Sequence, residues 1–230
     1  MSRPDVAAIL VAGGSSTRFG TPKQFEMIGG LPMYQYVART FSRINSIGRI
    51  VLVGPATYLS EMKAGMASIG IHTDWAVVEG GETRQESVSN GLASLTNCEH
   101  VSIVIVHDVA RALIEEATIN SVIDAIREHG AAIAAIPVVD TLKRILDGVV
   151  EGTVSRENLW RAQTPQGARI ELLRNAFRHA ANARHIGTDE AELLEKSGVK
   201  PRIVEGSERN FKLTYRHDLE RARAILASED

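Results

Sequence analysis

Cysteine is nearly absent from this chain. A single one, Cys98, stands among 230 residues. No disulfide can therefore close within the chain, and a lone cysteine reads as a small apolar side chain in the interior. Such usage fits a reducing compartment, and a cytoplasmic location is expected. The opening Met1-Ser2-Arg3-Pro4-Asp5 and the short apolar run after it lack the pattern of a secretory leader. No run approaches the roughly 18 apolar residues of a membrane span, so no membrane partner is expected. Net charge is also lacking, at -2, whereas a general nucleic-acid binder is basic overall. Any phosphate ligand must then be met by a local group of Lys and Arg rather than by a global field. Internal repeats and low-complexity tracts are missing as well.

Hydrophobic residues make up 44% and charged residues 23%, the balance of an ordinary soluble globular protein. The length suits one large α/β domain. Short apolar runs alternate with longer helical patterns. Strands are expected at Val6 to Val11, Ile50 to Val53, Trp75 to Val78, Val101 to Val106 and Ala131 to Ile136. Helices are expected from Pro32 to about Ile44, Tyr58 to Ala67, Glu115 to Glu128, Ile170 to Ala183, Asp189 to Ser197 and His217 to Ala227, with a late strand at Arg202 to Glu205. Pro32 fits a first helical turn. Thr83 and Glu86 have capping-box spacing, which starts a helix running to about Leu95. Alternation of this kind predicts an α/β fold, a Rossmann-like mainly parallel sheet flanked by helices. Ligands of such sheets sit beyond the carboxyl ends of the strands, which places the loops after Val11, Val78 and Val106 on one rim.

The stretch from Val138 to Asn158 differs. Two β-rich runs flank Asp147-Gly148, a hairpin signal. An isolated hairpin is marginal in water, so this β-hairpin arm is expected to pack on something, a second subunit being the natural candidate.

The loop after the first strand, Leu10 to Lys23, carries Gly13, Gly14, Gly20, Arg18 and Lys23. Glycines let backbone N–H groups approach phosphates, and the two cations add charge-assisted donors. Two phosphate-binding fingerprints are missing. A dinucleotide Gly-x-Gly-x-x-Gly from Gly13 would need glycine in place of Ser15 and Arg18. A Walker loop would need Gly-Lys-Ser/Thr, but Lys23 lies between Pro22 and Gln24. The missing fingerprint argues against a nicotinamide oxidoreductase.

Val11-Ala12-Gly13-Gly14-x-Ser16-x-Arg18-Phe19-Gly20, followed by Pro22-Lys23-Gln24, resembles the signature loop of the sugar-phosphate nucleotidyltransferases. The remaining motifs occur in order along nearly the whole chain. They are Gly80-Gly81-x-Thr83-Arg84-Gln85-x-Ser87, His107-Asp108-x-Ala110-Arg111, Asp140-Thr141-Leu142-Lys143-Arg144, Trp160-x-Ala162-Gln163-Thr164-Pro165-Gln166, Thr188-Asp189-Glu190-Ala191 and Gly206-Ser207-Glu208-x-Asn210-Phe211-Lys212. Together they resemble the 2-C-methyl-D-erythritol 4-phosphate cytidylyltransferase family.

The resemblance implies a nucleotide-diphospho-sugar transferase fold spanning residues 1–230 as one domain, with 138–158 protruding for dimerisation. It implies CTP and a phosphorylated sugar alcohol as substrates, Mg²⁺ as cofactor and a homodimer as the assembly. Arg18, Lys23 and Lys212 would be catalytic. Ala12, Gly13 and Gly14 would bind nucleotide, and Gly80, Gly81, Glu82 and Ser87 would read the base. Arg111, Thr141, Arg156 and Thr188 would hold the acceptor, Arg156 serving the neighbouring subunit. Asp108 would lie near Mg²⁺ or the acceptor hydroxyls, whereas His107 reads as structural. Ribitol-5-phosphate cytidylyltransferases share almost all these motifs. An inactive nucleotide-binding protein would keep the fold, but it would lose the cations retained here.

Overall fold

The computed structural model describes residues 4–13 and 19–228. In chain order the elements are β1 (Val6–Val11), β2 (Met27–Ile28), β3 (Leu31–Pro32), α1 (Met33–Ser42), β4 (Ile47–Gly54), α2 (Leu59–Ser68), β5 (Asp74–Glu79), α3 (Arg84–Ala93) and β6 (Ile103–Asp108). They continue with α4 (Glu116–His129), β7 (Ala131–Pro137), β8 (Leu142–Leu146), β9 (Val149–Val154), β10 (Trp160–Arg169), α5 (Ile170–Ala183), α6 (Glu190–Lys196), β11 (Arg202–Glu205) and α7 (Arg216–Ala227).

Seven strands form the central sheet in the order β11-β7-β10-β6-β1-β4-β5. β1 pairs in parallel with β4 and β6, β4 with β5, and β7 with β11. β10 runs antiparallel to both its neighbours. The sheet is thus mainly parallel, with one reversed strand inside it.

Period-2 alternation explains why the inner strands are apolar on both faces. Val6, Ala8 and Leu10 of β1 join a core with Val37 and Phe41 of α1 and Ile119 of α4. Ala7, Ile9 and Val11 face the opposite core, with Val88 and Leu92 of α3 and Leu173 and Phe177 of α5. At the start of α3, the Thr83 side chain accepts from the Glu86 N–H while the Glu86 carboxylate accepts from the Thr83 N–H. Both arms of the expected capping box are therefore made.

β8 and β9 pair only with each other, apart from the main sheet. Their turn holds Asp147 at φ 48° and Gly148 at φ 79°, the left-handed pair that a tight hairpin favours. Ile145, Leu146, Val149 and Val150 are more than half exposed along this arm.

Three expectations need correction. Pro32 ends β3 and stands before α1 rather than within its first turn. β6 lies two residues later than the apolar run, at Ile103–Asp108, because Val101 and Ser102 belong to the approach and His107 and Asp108 complete the strand. β10 was not anticipated at all. Its Gln163, Thr164, Pro165 and Gln166 do not read as a strand interior. They are accommodated because the register shifts between Ala162 and Gln166, which spares Pro165 a ladder bond.

Candidate active site

The parallel register brings the carboxyl ends together. Val11 at the end of β1 lies opposite Asp108 of β6 and Val53 of β4, and Gly54 lies opposite Glu79 of β5. Beyond this rim is a cleft of about 270 Å³. It draws Ala12, Gly13 and Lys23 from the loop after β1, Gly81, Glu82 and Ser87 from the turn into α3, Asp108 from β6, and Lys212 from the segment after Asn210. Gly14 and Arg18 lie outside the described residues.

The turn into α3 is tightly built. The Ser87 hydroxyl accepts from the Gly81 N–H at 3.1 Å and donates to the Thr83 carbonyl at 2.9 Å. A Cβ on Gly81 would stand 2.3 Å from the Cβ of Glu86, so only glycine fits this approach. Gly80 donates its N–H to the Gly54 carbonyl, tying the turn to β4.

At the floor of the cleft, Asp108 is buried between two cations. Arg84 Nε donates to its Oδ1 at 2.9 Å and Lys212 Nζ to its Oδ2 at 2.6 Å. Both Nη atoms of Arg84 fork onto the carboxylate of Glu190, at 2.7 and 3.0 Å. Burial opposes ionisation of Asp108, but the charges of Arg84 and Lys212 prevail and hold its carboxyl well below the usual range. Burial has the upper hand at Glu190 and raises its pKa despite Arg84. The two carboxylates hold the Arg84 guanidinium firmly protonated against its own burial.

His107 is buried beside Asp108. Burial lowers its pKa to about 4, so the ring is neutral at pH 7. Nε2 faces the Arg111 carbonyl at 3.2 Å and must donate to it. Nδ1 then accepts from the Thr164 hydroxyl at 2.9 Å, whose oxygen accepts from the Asp108 N–H at 3.1 Å. Every polar atom of the ring is thereby committed, as a structural histidine requires.

Lys212 stands on an extended segment clamped at both ends. Asn210 is buried. It donates to the Gln163 side chain and to the Thr164 carbonyl, and its own carbonyl accepts from Arg111 Nη1 at 2.8 Å. Leu213 donates its N–H to Ala110 at 2.7 Å. Its carbonyl accepts from Lys23 Nζ at 3.1 Å, which brings the two lysines to one wall.

The residues expected to hold the acceptor are more dispersed. Arg111 also donates to the Ala162 carbonyl. Thr141 is exposed at the base of the arm. Arg156 is exposed and donates to the Val139 carbonyl. Thr188 uses its N–H and hydroxyl on Glu192. None of these four lines the cleft. Conversely, Arg84 and Glu190 stand in motifs to which no role attaches, yet Arg84 anchors Asp108 and Glu190 holds Arg84. No sequence signal marked this pair: the burial of Glu190 just after the helix cap Asp189, which makes an unpaired carboxylate costly there, emerges only from the fold.

Among the described residues no group of three or more His, Cys, Asp and Glu is placed to hold a metal. Asp108 and Glu82 are the carboxylates of the cleft lining, and one carboxylate together with phosphate oxygens suits a hard divalent ion.

Fold and cleft together define a Rossmann-like α/β protein with a cation-lined cleft at the strand ends. The model of the 2-C-methyl-D-erythritol 4-phosphate cytidylyltransferase family matches residues 6–228, and the chain belongs to that family. It is 38% identical over 232 residues to the cytidylyltransferase of that name from Acidobacterium capsulatum, covering 96% of this chain and 97% of the relative. It is 41% identical to a bifunctional IspD/IspF enzyme from Desulfotalea psychrophila over 93% of this chain, and it spans 54% of that longer protein. A crystal structure of 4-diphosphocytidyl-2C-methyl-D-erythritol synthase from Anaerococcus prevotii superposes with a TM-score of 0.84 at 28% identity, over 96% of this chain and 98% of that one.

Proposed function

We propose that this chain transfers CMP from CTP to 2-C-methyl-D-erythritol 4-phosphate and releases pyrophosphate, a step of non-mevalonate isoprenoid precursor synthesis. The observation that carries the reading is the convergence of Lys23, Arg84 and Lys212 on one cleft around the buried Asp108, facing the glycine turn that precedes α3. Family membership supplies the identity of the base and of the acceptor.

An oxygen of the acceptor phosphate attacks the α-phosphorus of CTP. A new P–O bond forms, the bond to the β-phosphate bridge breaks, and the electron pair departs on pyrophosphate. A phosphate oxygen needs no strong base, which fits a site whose buried histidine is neutral and fully bonded. Catalysis then rests on position and charge. Lys23 and Lys212, with Arg18 from the family signature, stabilise charge around the α-phosphate. Ala12, Gly13 and Gly14 cradle the phosphates, while Gly80, Gly81, Glu82 and Ser87 face the base. Mg²⁺ would be held by Asp108 together with substrate phosphates, neutralising their charge and orienting them.

The acceptor site is completed between two subunits of a homodimer. Arg111, Thr141 and Thr188 come from one chain and Arg156 from the arm of the other. Residues 138–158 are the dimerising arm of a single domain. Among the described residues no helix is long and apolar enough to cross a membrane. We propose the cytoplasm as the site of the reaction, a reading supported by the single cysteine.

The test is pyrophosphate release, crossing CTP, ATP, GTP and UTP with methylerythritol phosphate and ribitol phosphate. Release with CTP and methylerythritol phosphate alone is expected, and it should stop on chelation with EDTA and resume with added Mg²⁺. Release only with ribitol phosphate would reassign the acceptor.

A further inference from the structure

Glu190 does not itself line the cleft, yet it is 1% exposed and carries two hydrogen bonds to the guanidinium of Arg84, which does. The side chains alternate in sign along a line: Lys212, Asp108, Arg84, Glu190. Their formal charges cancel. Removal of the outermost carboxylate leaves the inner three with an excess of one positive charge at the cleft floor.

The geometry of Arg84 shows what that carboxylate does. A guanidinium offers a flat face of paired donors, and a carboxylate accepts them most favourably two at a time. Here the Nη pair is spent on Glu190, and Asp108 receives only Nε, through Oδ1. Oδ2 of Asp108 is thereby left to Lys212. Without Glu190, the buried Nη donors would have to find other acceptors. The nearest anion is Asp108, which would be gripped by both oxygens. The next is the nucleotide phosphate, since Arg84 lines the cleft.

We infer that Glu190 is a positioning residue: it holds the Arg84 fork away from the cleft, so that Asp108 keeps one oxygen for Lys212 and thereby sets that lysine toward the reacting phosphates. Its setting is built for this role. Asp189 caps α6 and also accepts from Gln166 Nε2 at 2.9 Å, and Gln166 Oε1 accepts from the Ala191 N–H at 3.0 Å. Gln166 of β10 therefore holds the Asp189 side chain on one side of Glu190 and the Ala191 N–H on the other. From α3, Gln85, the neighbour of Arg84, donates to the His185 carbonyl and accepts from the Gly187 N–H. The loop leading to Glu190 and the turn facing the base are thus fastened together by two adjacent side chains.

This inference rests on the transfer reading above, and its test has a readout that survives if the acceptor is wrong. In Glu190→Gln, kcat for pyrophosphate release should fall at least tenfold. KM for CTP should stay level or fall, because the cleft floor gains positive charge. Calorimetric titration of CTP alone should likewise show affinity equal to wild type or up to about tenfold tighter. A merely structural residue would weaken CTP binding in step with turnover. Turnover within twofold of wild type, or weaker CTP binding by folded protein, overturns the role.

Arg84→Lys provides a second variant. It retains the charge but cannot serve Glu190 and Asp108 at once, so it should reproduce the loss in kcat; unchanged turnover there overturns the inference even if Glu190→Gln fails to fold. Wild-type protein that binds CTP but turns over neither polyol phosphate would instead count against the transfer reading. In that case the CTP affinity of Glu190→Gln decides the inference: tighter binding supports it, and equal or weaker binding overturns it.

Discussion

At the scale of single residues, Lys212, paired with the Asp108 carboxylate, and His107, the residue before Asp108, do opposite work. Lys212 is partly exposed and points its charge into the cleft against Asp108. Truncation of Lys212→Ala should lower kcat by on the order of 10²–10³, the loss seen when one preorganised electrostatic donor is removed. Steady-state pyrophosphate release checks it, with circular dichroism confirming the fold. His107 holds no charge at neutral pH and contributes stability instead. Its folded pKa, about 4, lies below the ordinary 6.5. Between those values the unfolded chain binds a proton that the native chain refuses, so stability is complete above about pH 6.5 and drains away as pH falls toward 4. At about 1.4 kcal/mol per unit, the loss amounts to about 3 kcal/mol. Urea unfolding at pH 7.5 and 4.5 should show it. His107→Asn should be less stable at pH 7.5, yet lose less on acidification. An equal acid sensitivity in both proteins would mean that His107 is not the group responsible.

Among the elements, α3 joins local sequence most directly to the site. The Thr83 cap is made, and Thr83→Ala should cost about 1 kcal/mol in thermal or urea unfolding. Gly81→Ala would place a methyl 2.3 Å from the Glu86 Cβ. It should push the turn outward and raise KM for CTP several-fold, with little change in KM for the acceptor; a change confined to the acceptor would remove this turn from base recognition. Both features were readable because capping boxes and glycine turns are local. The hairpin around Asp147-Gly148 was readable for the same reason. β10 was not, since its pairing with β6 and β7 is set by register across the sheet, and Gln163, Thr164 and Pro165 sit in a shift that no periodicity announces. The site divides along the same line. The loop cations and Asp108 stood in motifs, whereas the bond from Arg84 to Glu190 joins positions 106 residues apart. Only the fold could bring that charge pair together.

For the whole molecule, the arm poses a packing problem that one chain leaves open. β8 and β9 carry Ile145, Leu146, Val149 and Val150 into solvent, with Val149 69% exposed. A two-stranded sheet with apolar side chains on its surface is marginal by itself, and contiguous exposed apolar surface marks an interaction site. A second copy of the chain would cover these residues and would also bring Arg156, at the root of the same arm, toward the neighbour's acceptor. Light scattering at micromolar concentration should therefore give twice the chain mass. Leu146→Asp combined with Val149→Asp lies at the turn, outside the cleft lining, and adds two buried charges to any such interface. The double variant should be monomeric. If Arg156 serves the neighbour, the monomer should retain CTP binding while its KM for the acceptor rises at least tenfold. A monomeric wild type would dispose of the shared site altogether. A monomeric variant with unchanged acceptor KM would keep the dimer but return acceptor binding to residues of a single chain.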